Sequence, residues 1–320
     1  MKEKPDSRGQ LQQLLFESQT IEEAFRDFLI AKRADGASPK TIASYESHFH
    51  SICRYLDGSL PIINVTNQLL RRMVARMADS DLSPNSIRSY TATMKSFLSW
   101  CDAEDIAHLS MKLYKGVDTA KETYTTEELQ KLLAPPDLKH CTFAEFRAWT
   151  IVNLLVNNGL RAGSIRAIRN KDVDLDSCII TLRHTKTRKV QVIPLSSSMV
   201  VILRRYMSIR KGDENDALFC ELSGEPMSET ALSDAIERYN RRRGVKKTGI
   251  HRFRHTFAKL YITEIGGNAL KLQKLLGHST LDMTKHYVNL YDSDIMQGYD
   301  AESPLELLKS KQRKERIRMK

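Results

Sequence analysis

The sequence predicts a mostly α-helical protein of α+β class: an N-terminal helical bundle, then a mainly helical second domain with a small antiparallel β-sheet. Three observations carry that expectation. Apolar residues recur at helical spacing, as in Ile21, Ala24, Phe25, Phe28 and Leu29. Helix-start signals punctuate the chain, most clearly two Ser-Pro pairs. Two β-branched runs, CIITLRH at 178–184 and KVQVIPL at 189–195, read as strands, and the TKTR between them reads as a hairpin turn.

The first helix starts from about Thr20. SPKTIASY at 38–45 then recurs as SPNSIRSY at 83–90, matching at Ser, Pro, Ile, Ser and Tyr. In each copy the serine hydroxyl caps N–H groups that have no helical partner, and proline takes the first helical position, where its missing N–H is not needed. The first copy opens a helix ending near LDG at 56–58, the second one ending near WCDAED at 100–105, and NQLLRRMVARMA at 67–78 lies between. Residues 18–110 therefore read as a bundle of four or five helices behind a polar tail, 1–17. The polar, aperiodic stretch 111–124 reads as a linker. A second domain covers 125–300: TTEELQKLL capped by Thr125 or Thr126, the long TFAEFRAWTIVNLLVNN stopped at Gly159, the hairpin, helices from about 197, 228, 251 and 268, and a last one through MTKHY. A basic tail, 301–320, closes the chain.

With 320 residues, 41% of them hydrophobic, the chain can build two cores and is too apolar for wholesale disorder. MKEKPDSRGQ lacks the apolar run of a signal peptide, and no segment approaches the ~18 apolar residues of a membrane span, so a soluble, cytoplasmic protein without a membrane partner is expected. Cys53, Cys101, Cys141, Cys178 and Cys220 are odd in number and far apart. That argues against a disulfide framework and for reduced, mostly buried thiols. Fifty Lys and Arg against 39 Asp and Glu give a net charge of +11. About half of the excess sits in the last twelve residues, KSKQRKERIRMK, and a second cluster is RRRGVKK at 241–247. Such a surplus points to nucleic acid or another acidic surface as partner.

GIHRFRHTF at 249–257 crowds two histidines and two arginines into five positions. On a helix at ~100° per residue His251, Arg254, His255 and Ala258 share one face, while Phe253, Phe257 and Leu260 turn toward a core. Histidines four apart are half of a zinc site, but Arg254 would sit beside the metal and no nearby Glu or Cys completes the set, so neither metal nor cofactor is expected. Upstream, NNGLRAGSIRAI puts Arg161 just past a helix-stopping glycine, and Lys186 lies in the hairpin turn of HTKTRK. Downstream, LLGHSTLDMTKHY places His278 after a second glycine and Tyr287 nine residues later. Singly, each has a structural explanation: a surface Arg, a turn Lys, a core His, a packed Tyr. Beside the capped starts, Lys40, Thr41, Asn85, Arg88 and Ser89 are candidates for phosphates or base edges, and Arg252 and His286 read as structural or DNA-contacting.

In order and spacing these residues resemble the tyrosine recombinases, or phage integrases, over essentially residues 18–300. That family's motifs run as an arginine in Gly-Leu-Arg, a lysine in a β-hairpin, His-x-x-Arg, then Leu-Gly-His with the nucleophilic tyrosine nine residues after that histidine. Here they correspond to Arg161, Lys186, His251 with Arg254, His278 and Tyr287. Many relatives carry a glutamate three residues after the first arginine, where this chain has Ser164. With no extra arm-binding domain ahead of residue 18, the chain is similar to compact, Xer-like or transposon-type members.

The resemblance implies a site-specific recombinase whose Tyr287 attacks a DNA phosphodiester and forms a 3′-phosphotyrosyl link, without metal or ATP. Arg161 and Arg254 would neutralise the phosphate, His278 would add a donor, His251 would assist deprotonation, Lys186 would protonate the leaving 5′ oxygen, and His255 would support the site. It further implies paired sites in double-stranded DNA, a homotetramer, a Holliday-junction intermediate, and a basic tail that docks on a neighbour. Two other readings share the basic character: a type IB-like topoisomerase using the same chemistry, and a non-catalytic helical DNA-binding regulator.

Overall fold

The computed structural model describes residues 19–115, 122–183, 190–278 and 280. The chain divides between Thr119 and Ala120 into two compact units. Among the described residues there are eleven α-helices and one three-stranded sheet. None of these helices is long and apolar enough to cross a membrane.

The first unit contains helices α1 (Ile21–Ala34), α2 (Pro39–Ile52), α3 (Asn67–Ala78) and α4 (Pro84–Ala103), with a short 3₁₀ turn at Ile62–Asn64. Thr20 begins α1 with a capping box: its hydroxyl accepts from the Glu23 N–H, and the Glu23 carboxylate accepts from the Thr20 N–H. The internal echo is a repeated helix opening. Ser38 and Ser83 accept from the N–H groups of Thr41 and Ser86, and Pro39 and Pro84 hold the first helical positions. Its matching apolar positions serve packing: Ile42 and Ile87 are buried, Tyr45 meets Phe28, and Tyr90 meets His48. The core is aromatic. Phe25 stacks on Phe49 with centroids 3.9 Å apart and meets Phe97 edge-on at 5.2 Å, and Trp100 stacks over Phe97 at 6.4 Å.

The second unit is organised around α6 (Phe143–Asn158), following α5 (Thr126–Leu133). Thr125 is the residue that caps α5. Buried residues lie all round α6, from Phe146 through Ile151 and Val152 to Leu155, which marks it as the central helix. After α7 (Ala162–Ala167) come β1 (Val173–Asp174), β2 (Ile179–Leu182) and β3 (Gln191–Pro194), in that order and antiparallel, with Ile180 opposite Ile193. The short β1 strand has no sequence signal of its own: two residues carry no period. Helices α8 (Ser197–Arg210), α9 (Glu229–Arg242), α10 (Ile250–Thr263) and α11 (Ala269–Leu276) complete the described fold. The last expected helix, through MTKHY, lies outside the described residues.

Three features differ from expectation. Tyr124, at the end of the expected linker, is buried in the second core, with its ring 4.4 Å from that of Phe253 and its N–H donating to Thr256. The cysteines are not mostly buried: Cys101 and Cys220 are, but Cys53 and Cys178 are exposed. The basic cluster 241–247 is largely engaged within the chain, because Arg241 pairs with Glu237, Arg243 with Glu145, and Lys247 with Glu128.

Each unit contains one of the two tryptophans, Trp100 and Trp149. In a Trp149→Phe background, Trp100 fluorescence therefore reports the first unit alone. Truncating the fully buried Phe97 to Ala is expected to cost that unit about 3–5 kcal/mol, read as a lowered urea midpoint. An unchanged midpoint would contradict this account of the core.

Candidate active site

The site is built on two helix ends. Helix α6 stops at Gly159, whose backbone is left-handed with φ +60°. A Cβ there would lie 2.7 Å from Phe257 Cδ1, so only glycine lets α10 approach this closely. Two residues later Arg161, in extended backbone, is the N-cap position of α7. Helix α11 ends similarly at Gly277, φ +61°.

Arg254 rises from the second turn of α10 and is only 6% exposed. Its Nη1 donates to the Gly159 carbonyl at 2.9 Å and its Nη2 to the Leu276 carbonyl at 2.8 Å. Arg161, half-buried, reaches the same end of α11, with Nη1 3.4 Å from the carbonyls of both Leu276 and Gly277. The two guanidiniums thus share the Leu276 oxygen. A helix C-terminus carries about half a negative charge and up to four carbonyls without helical partners. It orients cations, and a carbonyl does so without the formal charge that would cancel them.

His278 lies immediately beyond that end, half-buried. Burial, then the charges of Arg254 and Arg161, lower its pKa to about 4. At neutral pH it is an uncharged imidazole, able to donate from one ring nitrogen. Burial contributes most to this depression, and the two guanidiniums add to it, so His278 lies within the positive field of Arg254 and Arg161.

The face of α10 is not the simple cationic stripe its sequence suggests. Arg254 and Ala258 are buried beneath α6 and α11, whereas His251, in the first turn, is exposed and His255 half-exposed. Arg252 pairs with Glu122, and this pair together with Tyr124 ties the segment entering the second unit to α10. Ser164 sits half-buried within α7. Lys186, Tyr287 and His286 lie outside the described residues. The structure therefore brings together Arg161, Arg254 and His278, and sets His251 on the same helix as Arg254. Among the described residues no cluster of three or more His, Cys, Asp or Glu side chains is arranged to hold a metal ion.

In the first unit Lys40 and Thr41 occupy the exposed first turn of α2, and Asn85, Arg88 and Ser89 the exposed opening turns of α4. Two of their hydroxyls have local partners: Thr41 Oγ1 lies 2.8 Å from Ser38 Oγ, and Ser89 donates to the Asn85 carbonyl.

One residue of the site escapes sequence reasoning. Gln191, opening β3, donates from Nε2 to the carbonyls of Lys274 and Leu275 at 2.9 and 2.8 Å. In VQVIPL an alternating pattern suggests inward valines and an outward glutamine, yet Val190 and Val192 are exposed and Gln191 shares the inward face with buried Ile193. The available signal was that inward pair, Ile193 and Leu195, counted back by twos. At the other side of the hairpin, Arg183 pairs with the buried Asp172 at 3.0 Å.

Comparison with known proteins gives a consistent picture. Residues 122–294 match the model of the phage integrase family, and residues 23–105 match the phage integrase N-terminal SAM-like domain. The chain is 26% identical to tyrosine recombinase XerD of Staphylococcus haemolyticus over 300 residues, covering 89% of this chain and 99% of that protein. It is 28% identical to tyrosine recombinase XerA of Thermococcus kodakarensis, covering 84% and 91%. The fold is similar to that of a lambda integrase tetramer bound to a Holliday junction (TM-score 0.68, 21% identity, 90% and 81% of the two chains). It is equally similar to the Tn1549 transposon integrase in complex with transposon right end DNA (TM-score 0.68, 21% identity, 89% and 98%).

The electrostatics of His278 have a measurable consequence. Its pKa is lower in the folded chain than in the unfolded one, so its contribution to stability is full above about pH 6.5 and is lost as pH falls toward 4. NMR titration of the His278 ring is expected to show a midpoint near 4 that moves upward in Arg161→Gln. An ordinary midpoint near 6.5 would remove the positive site from this account.

Proposed function

The chain belongs to the phage integrase family, and from that premise we propose that it is a site-specific DNA recombinase that cuts and rejoins strands through Tyr287. The observation that carries this reading is the convergence of Arg161 and Arg254 on one helix end beside a neutral His278.

The chemistry follows from what a phosphodiester needs. Attack by a hydroxyl spreads negative charge over the non-bridging oxygens, and positioned cations lower that barrier. Planar, permanently charged guanidiniums grip such oxygens in pairs. The Tyr287 phenol attacks phosphorus with His251 as hydrogen-bond partner or base, since an unperturbed phenol is only ~0.1% ionised at pH 7. The P–O bond to the 5′ oxygen breaks, and Lys186 supplies the proton that this oxygen takes. The products are a 3′-phosphotyrosyl link and a free 5′-hydroxyl. Because the link retains the ester's free energy, a different 5′-hydroxyl can attack it and release the tyrosine, so strands exchange without ATP.

Relatives support the wider setting: a lambda integrase tetramer on a Holliday junction and a transposon integrase on transposon end DNA share this fold. We infer paired sites in double-stranded DNA, four protomers, integration, excision or resolution of mobile DNA as the outcome, and action in the cytoplasm. Lys40, Thr41, Asn85, Arg88 and Ser89 would contact that DNA from the helix openings of the first unit, and Arg252 from α10.

Nicked duplexes from DNA flanking the gene, incubated with protein in EDTA, are expected to yield a covalent adduct that survives denaturation. Tyr287→Phe should abolish the adduct and leave DNA binding intact. Tight binding without any adduct would identify a regulator instead. Lys40→Ala and Arg88→Ala are each expected to lower the slope of log affinity against log salt by about 1, the mark of one lost phosphate contact. Unchanged slopes would take those residues out of the interface.

A further inference from the structure

The C-terminal end of α11 has more carbonyls to satisfy than its own backbone can reach. The N–H of Gly277 turns back to Gln273 and Lys274, and the N–H of His278 to Gln273. Leu276 and Gly277 accept from the two arginines. Between these groups lies the Leu275 carbonyl, which accepts from Gln191 of β3, and the same amide nitrogen reaches Lys274. One side chain from the sheet therefore closes the helix end on which Arg161 and Arg254 are seated.

The fit around Gln191 is close. A Cβ on Gly277 would lie 2.5 Å from the Gln191 Oε1, so any side chain there would displace the Gln191 amide, and the left-handed backbone also favours glycine. Both acceptors are carbonyls, which fixes the amide with its NH₂ toward the helix. The role thus requires a donor of this length: a carboxylate of the same shape would turn oxygen toward oxygen.

Building on the proposed strand-cleavage function, we propose that Gln191 is a positioning residue for that reaction, holding the end of α11 so that its Leu276 and Gly277 carbonyls keep the two guanidiniums aligned. Without it the last turn of α11 loses its tie to the sheet, and the arginines lose the fixed partners that set their planes. A misplacement of about 1 Å in charged groups around a reacting centre costs on the order of 100-fold in rate.

The test measures DNA affinity and adduct-formation rate separately, at saturating protein, for wild type, Gln191→Ala and Gln191→Glu, with each variant's folded fraction determined by thermal melting. The expected result is affinity close to wild type and adduct formation about 10–100-fold slower for Gln191→Ala, with Gln191→Glu at least as slow despite its matching shape. Wild-type rates in either variant would overturn the inference. So would a harmless Gln191→Glu, which would mean that only packing matters, or a loss no larger than the unfolded fraction explains. If wild type itself formed no adduct, the functional reading would fail first, and Gln191 would have no reaction to position.

Discussion

The candidate site depends on a single electrostatic arrangement, the carbonyl-rich end of α11 set against two guanidiniums. Arg161 and Arg254 repel each other, and at 6% exposure Arg254 has little water to screen it. What holds them is a cluster of oriented dipoles: the Leu276 oxygen shared by both, Gly159 from the end of α6, and Gly277 from the turn. Helix α6, helix α10, the sheet and α11 must all be in place for those oxygens to meet. The two left-handed glycines follow from that demand, since each ends a helix just where another element crowds in.

The first unit obeys a simpler rule. Its interior is built by hydrophobic burial of Phe25, Phe28, Phe49 and Phe97, and its helix openings are capped by serine and threonine hydroxyls. The Ser-Pro repeat solves the same problem twice: it begins a helix with capped N–H groups, buries an isoleucine, and leaves the exposed side of the first turn to Lys40 or Asn85. Of the matching positions, the serine and proline open the helix and the isoleucine and tyrosine pack, while Lys40, Ala43, Asn85 and Arg88, which differ between the copies, face solvent.

Features set within a few residues of one another were legible in the sequence. Thr20, Ser38, Ser83 and Thr125 cap the helices that their spacing announces, and Gly159 ends α6 as glycine does. Arg161, Arg254 and His278 could be named because family spacing singles them out, and not because any local pattern shows that they meet. Long-range partners were not legible. Nothing near Gln191 reveals that its acceptors lie 83 and 84 residues away. The cluster at 241–247 looks like a free basic patch until the distant Glu128 and Glu145 are seen to pair with Lys247 and Arg243. Charge counted along a chain is a poor guide to charge presented to a partner, because ion pairs form across folded distances.

The carbonyls that accept from the two arginines have a consequence for Ser164. A glutamate beside Arg161 would orient the guanidinium and also neutralise much of its charge. Backbone oxygens supply the orientation and leave more of the positive charge in place, and that charge adds to burial in lowering the pKa of His278 to about 4. Under the proposed function, a phosphodiester entering this site would meet groups that are already aligned, so little reorganisation would accompany charge development in the transition state. The serine is thus compatible with an anion site whose order comes from helix ends, with α11 as the element that both arginines and Gln191 share.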